Sequence, residues 1–183
     1  NNGTGASLTS DNHGSQLFAF SNGATFVLDG IYLIGYRNQL FNASGANTSV
    51  TINDCRFYAN RVSGGVFKVE NLKSFTLSNS HFAYGVAAPI GALETSSPGI
   101  VTNCLFESIY NSDTLRGGII HLNNGKYPTV IADSTFTRIC RHGKSDLAHG
   151  GPAVCISAEN GGTQPLIRGC EFTFCWNLMT ASA

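Results

Sequence analysis

The chain has 183 residues, enough for one domain with a real core, and only 12% of them are charged. Eleven basic residues balance eleven acidic ones, which excludes the clustered positive charge that nucleic-acid binders and partners of anionic membranes rely on. With 21 Gly, 12 Phe and 42% hydrophobic residues, the composition is too apolar for disorder and too rich in turn formers for a helical bundle.

No run approaches 18 apolar residues, so no helical membrane span is expected. The chain begins at Asn1 without an n-region or h-region, which reads as a secretory signal already removed. The sequons Asn2-Gly3-Thr4, Asn42-Ala43-Ser44 and Asn47-Thr48-Ser49 make Asn2, Asn42 and Asn47 candidate N-glycan acceptors. Asn42 and Asn47 flank a Gly45-Ala46 turn, where an acceptor would be exposed. Six Cys and three sequons together point to an oxidising, extracellular or cell-surface location. So few charges leave glycans or burial in an assembly to keep the surface soluble.

Along the chain, short strands are expected first at Gln16-Leu17-Phe18-Ala19-Phe20 and Gln39-Leu40-Phe41-Asn42-Ala43. A repeated register then emerges. Six aromatics each follow a small residue or Cys by two positions: Gly30/Tyr32, Cys55/Phe57, Ser80/Phe82, Cys104/Phe106, Ser134/Phe136 and Cys170/Phe172. They are spaced 25, 25, 24, 30 and 36 residues apart. Three residues before each small position stands an aliphatic: Val27, Ile52, Leu77, Val101, Ile131 and Ile167. Directly before it come Asp29, Asp54, Asn79, Asn103, Asp133 and then Gly169. Glycine turns enter further short strands at Gly64-Gly65-Val66-Phe67, Gly91-Ala92-Leu93, Gly117-Gly118-Ile119-Ile120 and Gly150-Gly151-Pro152-Ala153-Val154. Period-two alternation dominates, and no helical stripe exceeds two turns.

A period near 25 with several short strands per period predicts an all-β fold, a single-stranded parallel β-helix of six to seven coils. Residues 1–183 form one domain in this reading, with loop excursions near 141–150 and 158–164. A right-handed winding is the default for parallel crossovers. Rungs about 4.8 Å apart would make a rod roughly 30 Å long. The aliphatics form one buried column and the aromatics a second, while Asp29, Asp54, Asn79, Asn103 and Asp133 form a hydrogen-bonded ladder at an inward turn.

The glycine-pair strands at Gly64-Gly65-Val66-Phe67 and Gly117-Gly118-Ile119-Ile120, with Phe57-Tyr58-Ala59-Asn60, resemble the GGA(I/L/V) and FxxN repeats of chlamydial polymorphic membrane proteins and related β-helix surface proteins. The likeness runs over most of Phe26 to Asn177, and Phe174…Asn177 keeps the FxxN spacing as well. It implies a secreted right-handed β-helix used in adhesion or surface architecture.

Three cysteines, Cys55, Cys104 and Cys170, share one inward column and are separated by Ser80 and Ser134. Two rungs apart is about 9.6 Å, beyond disulfide reach, so they read as buried small residues. Cys140 and Cys175 lie in adjacent coils and are the pair expected to bridge, with Cys155 as the alternative partner of Cys140. A loose Cys140, His142, His149, Cys155 set has the donors for zinc but not the short knuckle spacing, and no metal or cofactor is expected. His13, His81 and His121 read as isolated rung residues and Trp176 as a packing residue. Polysaccharide cleavage needs paired carboxylates on one exposed face. Glu70, Glu94, Glu107, Asp113, Asp146, Glu159 and Glu171 fall in different phases of the coil, so no catalytic residue is expected. The function expected is a non-enzymatic extracellular structural protein, a subunit of a filament or coat that stacks head to tail. An adhesin module of a larger surface protein and a polysaccharide lyase or hydrolase are the alternatives. The partners that follow are a second copy or neighbouring coils of a longer chain, together with covalent glycans.

Overall fold

The computed structural model describes residues 7–8, 17–19, 23–37, 39–59, 61–63, 66–88, 93–95, 97–111, 118–123, 128–144, 151–157 and 165–180. Its strands, in chain order, begin with β1 (Ser7–Leu8), β2 (Phe18–Ala19), β3 (Thr25–Asp29), β4 (Tyr32–Ile34), β5 (Phe41–Ser44), β6 (Ser49–Asn53) and β7 (Arg56–Tyr58). The middle of the chain supplies β8 (Arg61–Ser63), β9 (Phe67–Glu70), β10 (Ser74–Ser78), β11 (His81–Ala83), β12 (Val86–Ala88), β13 (Leu93–Thr95) and β14 (Gly99–Thr102). The remaining strands are β15 (Leu105–Asn111), β16 (Ile120–Asn123), β17 (Thr129–Ala132), β18 (Thr135–Lys144), β19 (Val154–Ser157), β20 (Leu166–Arg168) and β21 (Glu171–Thr180).

These strands pair in parallel and stack into a β-solenoid, as the repeat predicts, and they form three sheets. Sheet I runs β20-β17-β14-β10-β6-β3, and sheet III runs β19-β16-β13-β9-β5-β2. Sheet II holds nine strands among the described residues, because β15, β18 and β21 each span a width that β7 with β8, and β11 with β12, cover in two pieces. The chain visits sheets I, II and III in turn. Residues 141–144, expected as the start of a loop, instead continue β18 in register with β21. Residues 145–150 and 158–164 lie outside the described set.

The aliphatic column is Leu28, Ile52, Leu77, Val101, Ile131 and Ile167, in register throughout sheet I. Val27 does not belong to it: it pairs with Thr51 and is 59% exposed. The same one-residue offset displaces Tyr32, which pairs with Arg56, so Leu33, itself in register with Leu8, precedes Phe57 in the aromatic column. A one-residue slip in a strand turns every side chain to the other face. From Phe57 onward the column is a continuous ring stack. Phe57–Phe82, Phe82–Phe106, Phe106–Phe136 and Phe136–Phe172 lie 4.6, 5.0, 4.8 and 4.9 Å apart with planes within 16°. That separation is the rung spacing itself, so backbone pairing and ring packing are satisfied together. Sheet III adds Phe41 stacked on Phe67 at 4.9 Å. The core therefore lies inside the three sheets and is lined almost wholly by aliphatics, Phe and small residues.

The corner between sheets I and II is a left-handed backbone column. Gly30, Asp54, Asn79, Asn103, Asp133 and Gly169 all have φ between 49 and 64°. Asn and Asp tolerate this region and Gly adopts it freely, which explains the residue types. At Gly169 an added Cβ would run into the Asp133 carboxylate. This ladder faces outward, not inward: Asp54, Asn79, Asn103 and Asp133 are exposed. Asp29 is not in it but one residue earlier, opposite Asn53. The two rows still interlock: Asn53 Nδ2 donates to Asp29 Oδ1 (2.7 Å), Asn79 Nδ2 to Asn53 Oδ1 (2.8 Å) and Asn103 Nδ2 to Asn79 Oδ1 (3.2 Å).

Inside this corner stands the small-residue column. Cys55, Cys104 and Cys170 each point a thiol at the carbonyl two residues earlier, at 3.1, 3.2 and 3.3 Å. Ser80 and Ser134 do the same with their hydroxyls at 2.7 Å. Each serine oxygen also accepts the backbone N–H of the cysteine one coil below, Ser80 from Cys55 and Ser134 from Cys104, both at 3.1 Å.

Candidate functional site

A second left-handed column bends sheet II in its middle: Gly35, Ala59, Tyr84, Ser108, Arg138 and Phe174, with φ between 50 and 67°. Side chains in a regular strand alternate between faces. Here the alternation is interrupted, so two consecutive residues per coil face outward before the next turns in. Glu107 and Ser108 precede buried Ile109, and Thr137 and Arg138 precede buried Ile139. The outer face of sheet II is thereby more densely furnished than an ordinary sheet.

This bend assembles a hydrogen-bonded chain across four successive rungs. The Tyr58 hydroxyl on β7 lies 2.6 Å from His81 Nδ1 on β11. His81 Nε2 lies 2.9 Å from Glu107 Oε1 on β15, and Arg138 Nη2 on β18 donates to Glu107 Oε2 at 2.8 Å. A carboxylate only accepts, so Nε2 carries the proton toward Glu107 and, in the neutral ring, Nδ1 accepts from Tyr58. Ala83 makes the bridge possible. It stands in register between Tyr58 and Glu107 on the outward face, and its methyl is buried where a longer side chain would fill the His81 position.

Both Glu107 oxygens are engaged, and the carboxylate is itself largely shielded from water. Burial pushes the Tyr58 phenol up from its ordinary 10.0, opposed by nearby Arg56, so the hydroxyl keeps its proton at neutral pH. Tyr32 and Tyr84 flank Tyr58 at ring separations of 5.4 and 6.3 Å, with planes crossed at 79 and 35°. The face is thus a row of tyrosines pinned by an internal polar chain, with Arg56 exposed at its edge.

His81 is therefore no isolated rung residue, and Glu107 does not stand alone in its own phase of the coil. The coil register carried the signal: Tyr58 and Glu107 each follow a stacked Phe by one residue, and His81 precedes one. His121 is buried on sheet III in register with Cys155, while His13 lies outside the described residues. Trp176 is half-exposed on the outer face beside Cys140 in register, not packed in the core.

The expected disulfide is not made, and none of the six cysteines is disulfide-bonded. Cys175 is in register with Ile139 and Cys140 with Trp176, so the two thiols leave opposite faces of sheet II. Cys155 sits on sheet III, away from Cys140 on sheet II. Burial pushes the Cys104 thiol from its ordinary 9.0 up to about 11, against two backbone hydrogen bonds that pull it down. Cys55 and Cys175 are raised for the same reason. Among the described residues no three His, Cys, Asp or Glu side chains gather closely enough to hold a metal ion; His149 lies outside them.

Of the sequon asparagines, Asn47 is exposed in the turn before sheet I. Asn42 is not on a turn: it lies on β5 between Ala19 and Lys68 in register, and its Oδ1 is buried without a hydrogen-bond partner. Asn2 lies outside the described residues. Comparison with protein-family models, curated proteins and solved structures finds no match to the chain.

Proposed function

We propose that the chain is a non-enzymatic extracellular structural protein, a right-handed β-helix that assembles head to tail into a filament or coat. In this reading each strand of a six-stranded sheet is one coil, and sheet II adds a rung before them, for six to seven coils. The glycine-pair and FxxN likeness to surface β-helix proteins supports the handedness and the location, and the sequons and the low charge support the location. Exposed Asn47 is the preferred N-glycan acceptor.

The observation that carries the assembly is the edge formed by β20 and β21. Ile131 and Phe136 are fully buried, yet Ile167 and Phe172 in the same columns are 38% and 48% exposed. Strand edges with unpaired backbone and apolar columns template further pairing, and a heterologous end-to-end contact propagates into a fibre. Zero net charge leaves like subunits little mutual repulsion. The occupant is the first rung of a second copy, with coils of neighbouring sequence as the alternative. Sedimentation velocity between 1 and about 100 μM tests it: growing rods are expected, reduced by Phe172→Asp. A monomer at every concentration overturns self-stacking.

A further inference from the structure

The geometry points to a second binding surface, independent of end-to-end stacking: the outer face of sheet II from β4 to β18 docks an acidic polypeptide segment of a partner. Glu107 is the sole carboxylate residue on β4, β7, β11, β15 and β18. Both of its oxygens are already taken, by His81 and Arg138. The face therefore offers no open anionic group of its own on those strands. On those strands the open charged groups are cationic, and the exposed carboxylates nearby, Asp54, Asp133 and Glu171, lie at the corner with sheet I and on β21. Arg56 is exposed and has no ion-pair partner among the described residues, and the Arg138 side chain stays 56% exposed while giving one nitrogen to Glu107. The two arginines stand three rungs apart, roughly 14 Å along the stack at the usual strand spacing, and are offset by three residues along the strands.

Tyr32 is in register with Arg56, Tyr58 and Tyr84 continue the ring row from it, and Tyr84 is 58% exposed in mid-stack, where no missing rung accounts for it. Tyr and Arg together, with Lys, Asp and Glu scarce, is the composition of protein-binding hot spots. The chemistry of the partner follows from two features. A guanidinium fork matches a planar carboxylate in two parallel hydrogen bonds. The tyrosine rings are crossed at 79 and 35° rather than coplanar. Crossed rings give ridges and hollows that peptide side chains fill. The Tyr58–His81–Glu107–Arg138 chain acts in support: it holds Tyr58 and Arg138 in place and so lowers the ordering cost of binding.

The probe is a fluorescein-labelled copolymer of glutamate and tyrosine, titrated by fluorescence anisotropy against the full chain at low salt. Saturable binding that weakens with added salt is expected. Arg56→Glu and Arg138→Glu should each weaken it about tenfold or more, the usual cost of losing a charge-assisted hydrogen bond. Lys68→Glu, on the outer face of sheet III, should leave it unchanged. Melting curves accompany each variant, and exposed Arg56 carries the test by itself if Arg138→Glu proves unstable. Binding that survives both arginine reversals, or falls equally with Lys68→Glu, overturns the assignment, as does absence of binding. Tighter binding of polygalacturonate with the same arginine dependence also overturns it, in favour of an acidic glycan. Because anisotropy reads ligand capture and sedimentation reads rod growth, failure of one reading leaves the other standing.

Discussion

Replacing Phe82 with Ala tests the ring stack at its centre. Phe82 is 2% exposed and is held between Phe57 at 4.6 Å and Phe106 at 5.0 Å, with Phe67 meeting its edge at 5.8 Å. Truncating a buried Phe costs about 3–5 kcal/mol through lost transfer energy and the cavity left behind. Two stacked neighbours and one edge contact place Phe82 in the upper half of that range, since each pair adds about 0.5–1.5 kcal/mol beyond area. Phe172→Ala is the internal comparison. That ring has a single stacked neighbour, Phe136 at 4.9 Å, and is already half-exposed, so about 1–2 kcal/mol is expected. Urea unfolding, run below the concentration at which the chain associates, reads both. With a slope near 2 kcal/mol per molar, the midpoint should fall by about 2 M for Phe82→Ala and by less than about 1 M for Phe172→Ala. Equal shifts for the two variants would refute the claim that stability comes from rung-on-rung stacking.

At the first corner, Asn79 sits at φ 51°; Asn79→Gly should stay within about 0.5 kcal/mol in thermal melts, whereas Asn79→Val should lose about 2 kcal/mol. Ala83→Leu should displace His81 and break the Tyr58–Glu107 bridge, visible as loss of the slow-exchanging imidazole proton signal by NMR while the far-ultraviolet spectrum is kept. The buried thiols set an alkaline limit. Cys104 is raised from 9.0 to about 11, so the unfolded chain binds fewer protons than the folded one between those values, and stability present below pH 9 is lost as pH rises toward 11. Unfolding free energy measured at pH 8, 9.5 and 11 should fall in that order, and a flat profile would contradict the burial of Cys104. Peptide mapping of the chain expressed through a glycosylating secretory host should find glycan on Asn47 in preference to Asn42, whose carboxamide oxygen is buried.

The parallel stack made much of the fold readable, because in-register rungs repeat the same chemistry once per coil. Ile52, Leu77 and Val101, and Phe57 through Phe136, fell into their columns from spacing alone. The first coil misled by one residue for a physical reason. Gly30 looks like a member of the Cys/Ser column, but its φ of 64° puts it in the left-handed column, where Gly substitutes freely for Asp and Asn. Gly169 plays the same part at the other end, and that parallel would have placed Val27, Asp29 and Tyr32 correctly. The bend in sheet II was not legible. Ala59, Tyr84, Ser108, Arg138 and Phe174 share a backbone conformation and no side-chain chemistry. A column that selects geometry rather than residue type leaves no pattern, so the face it builds stayed hidden along with it.

The cysteines illustrate how a composition signal acquires a different meaning once the geometry is known. Six Cys in a turn-rich chain suggest disulfide staples, yet none is made. Cys55, Cys104 and Cys170 alternate with Ser80 and Ser134 in a column that asks for a small side chain with one weak donor aimed at the carbonyl two residues back. A thiol and a hydroxyl both meet that demand. They differ in what they offer the coil below: serine oxygen accepts the neighbouring N–H, and sulfur is a poor acceptor but fills more apolar space. The alternation then satisfies the N–H groups of Cys55 and Cys104 while thiols pack the corner beside the Phe stack. Cys55, Cys104 and Cys170 are placed in this column for size and burial, so these three are accounted for without any disulfide. The proposed extracellular location is supported instead by the sequons, the scarcity of charge and the β-helix likeness.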